Sequence, residues 1–165
     1  MLRLYHPSTV DAGSGITDDI VMKRMSLKQF CQIVREAIAT LPAEIAEHLE
    51  NVVIDVLEAP TPEQLASVGI SEEESQQGES LYGLFIPVPG IGTSDMDMLE
   101  TPNQIVIFKG PLEEDFPDPD LLRIEIWKTL IHEIAHHFGF SEEDLDRFEA
   151  NPNPFSRRST ERNQD

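Results

Sequence analysis

The stretch from His132 to Glu142 constrains the chain more than any other part of the sequence. It contains the pattern His-Glu-x-x-His, in which His132 and His136 stand four residues apart and Glu133 follows the first histidine. On a helix, residues four apart lie on the same face, so both imidazoles can bind one metal ion. Glu133 lies about 100° further round such a helix, where a general base can take a proton from a water that the metal activates. The pattern therefore predicts a helix that carries a metal-dependent hydrolytic site.

The flanking sequence supports that helix. Asp118 can cap its start, Pro119 suits its first turn, and Gly139 suits a left-handed stop. Apolar residues recur at helical spacing and predict one broad buried sector, formed by Leu121, Ile124, Trp127, Ile131, Ile134, Ala135 and Phe138. A buried helix whose histidines only hydrogen-bond to neighbours is the alternative, but two histidines at this spacing with a glutamate between them are typical of metal sites.

Two imidazoles do not complete a catalytic zinc site, which takes three protein ligands and leaves one position for water. After Gly139 the chain offers Glu142, Glu143 and Asp144. We expect Glu142 to be the third ligand, because Ser141 can cap a short following helix and Asp144 can reach back to the cap amide. Glu143 would point about 100° away from Glu142. Asp144, Glu143 or a water remain alternatives for this position.

Imidazole and carboxylate together are a donor set that suits zinc, whereas magnesium and calcium prefer more oxygen ligands. We therefore expect Zn²⁺ as the cofactor. Manganese, iron or cobalt could also bind in vitro.

The segment from His132 to Glu142 resembles the extended motif HExxHxxGxx(H/D/E) of zincin-type metallopeptidases. The doubled histidine at His136 and His137, the Phe-Gly that follows and the acidic run ending in Leu145 resemble the minizincins, a small bacterial family of minimal zincin-like metallopeptidases. The resemblance extends over roughly residues 26–148. It implies a minimal zincin-like fold, zinc, and peptidase activity on a peptide or protein substrate. It also places the third ligand at Glu142, where the longer motif usually has His or Asp.

The rest of the sequence predicts an α+β domain with a small three-stranded sheet and helices on one face. A capping box at Ser26 begins a helix with the apolar stripe Leu27, Phe30, Cys31, Val34, Ile38 and Leu41, and a short helix follows Pro42. Strands are expected at 51–58, apolar on both faces, at 81–87, on an edge of the sheet, and at 104–108. Another capping box at Thr61 predicts a short helix, and residues 71–80 are expected to form a mobile polar loop.

These elements predict one zincin-like domain at residues 26–149, preceded by an irregular arm at 1–25 and followed by a disordered tail at 150–165. A long loop containing Gly90 and Gly92 is expected between the second and third strands. The arm lies outside the part of the chain that the resemblance covers.

Charge and composition exclude several classes of partner. The formal net charge is −19, and an acidic surface repels phosphate backbones and anionic lipids. Nucleic acid and membrane are therefore not expected as partners, and a metal-dependent nuclease is disfavoured. Cys31 is the only cysteine, no segment has the apolar length of a signal peptide or a membrane span, and a cytoplasmic location is expected. Nothing in the sequence specifies the oligomeric state.

Two functional hypotheses remain open from the sequence. The first is a zinc-dependent peptidase in which Glu133 moves the proton. The second is a zinc-stabilised binding module without turnover, and Glu133 argues against it because a structural site needs no carboxylate beside its ligands. His137 is interpreted as a neighbour or hydrogen-bond donor, Glu125 as a partner of a ligand imidazole or a solvated carboxylate, and His48 as a surface histidine.

Overall fold

The computed structural model describes residues 24–87, 102–151 and 153–155. Within these ranges the chain forms a three-stranded sheet and helices, in the order α1 (Leu27–Ala39), α2 (Ala43–Ala46), a 3-10 turn (Glu47–Leu49), β1 (Val52–Leu57), α3 (Pro62–Ser67), α4 (Glu72–Gln76), β2 (Gly83–Ile86), β3 (Asn103–Phe108), α5 (Lys109–Asp115), α6 (Pro119–Phe138) and α7 (Glu142–Glu149). The expected α+β class is confirmed. No helix in the described ranges has the length and apolar character needed to cross a membrane.

Most helices begin where the sequence supplies a cap. Four of them start with a capping box, in which a Ser or Thr side chain accepts a hydrogen bond from the third helical amide and that third residue's side chain accepts one from the cap amide: Ser26, Thr61, Ser71 and Ser141. The box at Ser71 also explains why the predicted loop over 71–80 is wrong in part, since Glu72–Gln76 is helical.

The sheet has the order β1-β3-β2, with β1 parallel and β2 antiparallel to the central β3. The prediction of β2 as an edge strand is confirmed. Strand β1 carries apolar residues on both faces as expected, but alternate residues face water: Val53 is 43% exposed and Leu57 is 41% exposed. One face of β1 packs against the main core through Val52, Ile54 and Val56, and the other face is open to water.

Alternate residues of β3 point into two separate apolar clusters. Ile105 and Ile107 join the main core, which contains the buried residues of α1 and α6, whereas Val106 and Phe108 pack with Leu65 of α3. The prediction that all helices lie on one face of the sheet is therefore wrong for α3, which covers the opposite face of β3.

The buried side of α6 is rotated from the predicted one. Leu122, Ile126 and Leu130 are at most 2% exposed, while Leu121 is 56% exposed. The reason is that α1 packs along α6 on one side while β2 and β3 contact it on another, so the buried sector is centred between them. In α1, Leu27 is 55% exposed, which also departs from its predicted stripe.

Three predicted segments fall wholly or mainly outside the described residues. Only residues 24 and 25 of the arm are described, and the long loop with Gly90 and Gly92 lies outside them. Of the predicted tail, residues 150, 151 and 153–155 are described, and Phe155 packs against the main core with the Arg123 guanidinium 5.4 Å from its ring centroid. The domain boundaries stay predictions.

Candidate metal centre

The motif lies on α6 as the sequence predicts. The Asp118 carboxylate caps its first turn, and Gly139 ends it in the left-handed region with φ of 78°. The ring centroids of His132 and His136 are 6.1 Å apart, with 66° between the ring planes. His136 is exposed, but partial desolvation lowers the pKa of its imidazole and the charge of nearby His132 lowers it further, which favours the neutral imidazole that binds metals.

Glu133 is held against the edge strand β2. Its Oε2 accepts a hydrogen bond of 2.9 Å from the backbone N–H of Phe85, a residue 48 positions earlier in the chain. Burial raises the pKa of Glu133, and the Phe85 N–H opposes that rise by stabilising the carboxylate. The carboxylate predicted to be the general base therefore has a fixed orientation and a raised pKa.

Close approach of α6 to β2 depends on Gly83. A Cβ at this position would lie 2.6 Å from Cγ2 of Thr129 and 3.3 Å from Cγ of Glu133. Thr129 is buried and its hydroxyl donates to the backbone carbonyl of Glu125 at 2.8 Å, so its methyl has little freedom to move. Gly83 therefore sets the distance between the motif helix and the edge strand.

Two stacked pairs of rings lie next to the contact between α6 and β2. The ring of His137 stacks on Phe85, with 3.6 Å between centroids and 14° between planes, which agrees with its interpretation as a neighbour. Phe138 stacks on His48 at 4.4 Å, so His48 is a packed residue rather than a free surface histidine. These contacts hold the end of α6 against β2 and the turn before β1.

Helix α7 begins as predicted, with Ser141 and Asp144 in a reciprocal capping box. Glu142 is its first residue and is exposed, and its charge acts on His136 in the direction that raises the pKa of that imidazole. Among the described residues, no group of three His, Cys, Asp or Glu side chains has the arrangement of a metal site. The assignment of Glu142 as third ligand therefore stays a prediction.

Sequence reasoning missed Glu149. This last residue of α7 places Oε1 against Nε2 of His132, and both side chains are largely buried, with 28% and 25% exposed. Glu149 lies seven residues after Glu142, and residues seven apart share a helix face. Extending the predicted short helix to two turns would have indicated this carboxylate.

Residues 49–151 match a family described as zincin-like metallopeptidases. The chain belongs to this family. A solved structure similar to this zincin-like protein is a conserved hypothetical protein from Thermo thermophilus, with 20% sequence identity, a TM-score of 0.47, and coverage of 74% of this chain and 98% of the other. A comparison with curated proteins gives no match.

Zincin-like metallopeptidases typically use zinc, and the donor types in this zincin-like protein fit that ion. Two imidazoles lie on one face of α6, and the carboxylates of Glu142 and Glu149 lie on one face of the neighbouring α7. Imidazole nitrogen and carboxylate oxygen are both ordinary zinc ligands.

Proposed function

We propose that this protein is a zinc-dependent peptidase in which His132 and His136 hold the ion and Glu133 is the general base. The observation that carries the proposal is the position of the Glu133 carboxylate, beside His132 and hydrogen-bonded to the N–H of Phe85 on an edge strand. A base at this place can act on a peptide that lies along β2. A carboxylate of α7 completes the ligand set, and Glu142 holds the position that the extended motif gives to the third ligand.

The residues of this chain then divide the chemistry. Zinc, when bound, supplies a Lewis acid that polarises the scissile carbonyl and acidifies water. Glu133 takes a proton from the attacking water and returns it to the leaving amine. Because burial raises the pKa of Glu133, the carboxylate is a stronger base than an exposed glutamate. The Phe85 N–H keeps one carboxylate oxygen fixed while the other remains to accept the proton.

The substrate chain is proposed to add as a strand along Leu81–Ile86. Strand β2 has only β3 as a hydrogen-bonded neighbour among the described strands, and on its other edge the Phe85 N–H donates to Glu133, so the peptide is proposed to pair with the remaining backbone groups of that edge. Hydrogen exchange tests this point with a peptide added to the Glu133→Gln variant, which should bind without cleaving. Slower exchange of backbone amides within 81–86 is expected, and slower exchange confined to other segments would contradict the proposed binding edge.

Turnover is tested by digesting a broad peptide library with metal-loaded protein, after metal analysis of the purified sample. Cleavage is expected from the wild type and not from Glu133→Gln, and chelation of the metal should stop it. Equal cleavage by wild type and Glu133→Gln would refute Glu133 as the base.

A non-catalytic zinc-stabilised binding module is the second candidate. It is favoured by the presence of two glutamates, Glu142 and Glu149, on the face of α7 beside the histidines, because four protein donors would close the zinc site to water. A protein that binds one zinc tightly and cleaves no peptide of the library would support this second function.

A further inference from the structure

A groove on the exposed side of α1 is positively charged, although the chain as a whole is strongly acidic. The groove is formed by α1, by the residues just before it and by the start of α6, and its lining includes Arg24, Ser26, Lys28, Gln32, Arg35 and Pro119. Among the described residues, every charged side chain that lines it is a cation. In the whole chain, by contrast, Asp and Glu outnumber Lys and Arg by 31 to 12.

Lys28 and Arg35 differ from the other Lys and Arg side chains in the described part of the chain. Each of the others forms an ion pair with a carboxylate, with nitrogen–oxygen distances from 2.7 to 3.4 Å: Arg24, Lys109, Arg123, Lys128 and Arg147. No ion pair within residues 24–87, 102–151 and 153–155 involves Lys28 or Arg35, and both residues are exposed. The two cations that lack a carboxylate partner there therefore lie in the same groove.

Lys28, Gln32 and Arg35 form one row along α1, because residues four and seven apart share a face of a helix. The opposite face is buried in the main core through Phe30 and Ala37, so the row is held toward solvent. Lys28 and Arg35 are about 10 Å apart along the helix axis. An extended chain rises about 3.3 Å per residue, so acidic residues about three apart in an extended peptide can meet both cations.

Arg24 adds a third cation at one end of the row. Its guanidinium lies 3.4 Å from Oε1 of Glu58, and the two side chains are 64% and 60% exposed. Exposed ion pairs contribute little to stability because water screens them, so a ligand carboxylate can replace Glu58 at low cost. We propose that this groove, the α1 groove, binds a short acidic segment of a partner polypeptide.

The surroundings of the α1 groove favour a short acidic peptide over a nucleic acid or a membrane. The exposed residues Asp118 and Asp120 flank Pro119 on the α6 side, and the chain carries a net charge of −19. A long phosphate backbone or a flat anionic membrane would extend past the cations onto this acidic surface, where like charge repels it. At physiological salt the Debye length is about 8 Å, so a ligand confined to the groove responds mainly to the cations that it contacts.

The α1 groove is distant from the motif. Pro119 and His132 are separated by about 20 Å along α6, a distance that about six residues of an extended chain would span. The groove is therefore a second binding surface, and the inference goes beyond the proposed function without depending on it.

Fluorescence anisotropy of a labelled octaglutamate peptide tests the proposal, with the full-length metal-free protein in about 0.15 M salt. Saturable binding is expected, and it should weaken as the salt concentration rises. Lys28→Gln and Arg35→Gln should each weaken binding by about two- to fivefold, the range for one exposed ion pair, and the double variant by about four- to 25-fold. Reversing both charges, in Lys28→Glu with Arg35→Glu, should abolish binding.

Lys128→Gln is the matched control for Lys28→Gln, because it removes the same charge from α6 outside the groove, and it should bind octaglutamate like the wild type. An octaglutamine peptide is the control for charge and should not bind. Lys28 and Arg35 are exposed, so their substitution should leave the fold intact, and the melting temperature of each variant checks this.

Several results would overturn the proposal. They are an absence of octaglutamate binding by the wild type, equal affinity in the wild type and the double variants, and equal binding of octaglutamine. A labelled oligonucleotide or phosphatidylserine vesicles that bind through Lys28 and Arg35 more tightly than octaglutamate would also overturn it, because the groove would then serve another class of partner. Zinc is absent from every arm, so failure of the zinc peptidase would leave these results unchanged.

Discussion

The two outer strands of the sheet share one partner and differ in what covers them. At the level of Ile107 in the central strand, β1 presents Val56 and β2 presents Gly83. On β1 the neighbouring Val53 and Leu57 are open to water. On β2 the motif helix lies so close that a Cβ at Gly83 would overlap a side chain of α6.

This difference shows which outer strand of the sheet contacts the residues of the motif helix. Among the described strands, β1 and β2 each pair with β3 alone, but only β2 has Glu133 of the motif hydrogen-bonded to its outer edge, through the N–H of Phe85. Strand β1 instead follows the ordinary alternation of an edge strand with one solvated face. The contact between α6 and β2 therefore identifies the β2 edge of the sheet as the edge next to the candidate site.

The largest effect is expected from Glu133→Gln. This substitution keeps the shape of the side chain and an oxygen that can accept from Phe85, but it removes the base. We expect kcat/KM for a cleaved peptide to fall by about 10²- to 10⁴-fold, the usual contribution of a general base. Glu114→Gln, an exposed glutamate of α5, is the control and should keep wild-type activity.

The next effect concerns the helix–strand distance. Gly83→Ala should push α6 away from β2, because the added methyl meets Thr129 at 2.6 Å. We expect a loss of about 1–3 kcal/mol in unfolding free energy from overpacking. A shift of about 1 Å in the base should also lower kcat/KM by roughly 10²-fold.

A second substitution distinguishes this overlap from a general loss of strand quality. Thr129→Ser removes the obstructing methyl and keeps the hydroxyl that donates to the Glu125 carbonyl. The double variant Gly83→Ala with Thr129→Ser should recover a measurable part of both losses. Losses that simply add in the double variant would show that the two positions do not interact.

A smaller effect is expected in the stability of the metal-free protein as a function of pH. Burial raises the pKa of Glu133 above its unfolded value of 4.5, so the folded state favours the protonated form. The corresponding stabilisation is complete below the unfolded pKa and is lost as pH rises through the folded pKa. Glu133→Gln should therefore melt at a higher temperature than wild type near neutral pH, and the difference should shrink toward about pH 4. A difference that grows on acidification would contradict the raised pKa.

The smallest effect is expected on the other edge of the sheet. Val53→Thr places a polar β-branched residue on the exposed face of β1 and should change the unfolding free energy by no more than about 0.5 kcal/mol. Zinc affinity and peptide cleavage should match the wild type. A change in either would mean that β1 also contributes to the site.

Local signals explain how much of this fold the sequence predicts. Asp118 and Gly139 bound the motif helix because a cap and a left-handed glycine act within a single turn. The capping box at Ser141 predicts the start of α7 for the same reason, because Ser141 and Asp144 are only three residues apart. The sequence does not predict helix α5, because Gly110 and Pro111 near its start are unfavourable in most helices.

Contacts between distant segments could not be predicted in this way. The hydrogen bond from Phe85 to Glu133 and the approach of Gly83 to Thr129 depend on how α6 crosses the sheet, which no local pattern specifies. The pairing of Glu149 with His132 required the length and direction of α7.

Because α6 turns into α7 at Gly139, one part of the candidate site is close in sequence, whereas the contact that orients Glu133 is distant in sequence. The donors from His132 to Glu149 fall within a single helical hairpin, whose outermost contact spans 17 residues. If the proposed zinc site is grafted with that hairpin onto another helical scaffold, the proposed function predicts that the graft takes up zinc. The Phe85 amide that orients Glu133 lies 48 residues upstream on a different element, and it would be left behind. Under the proposed function, such a graft should bind metal while cleaving peptides poorly, because the proposed ligands are close in sequence and the contact that orients Glu133 is not.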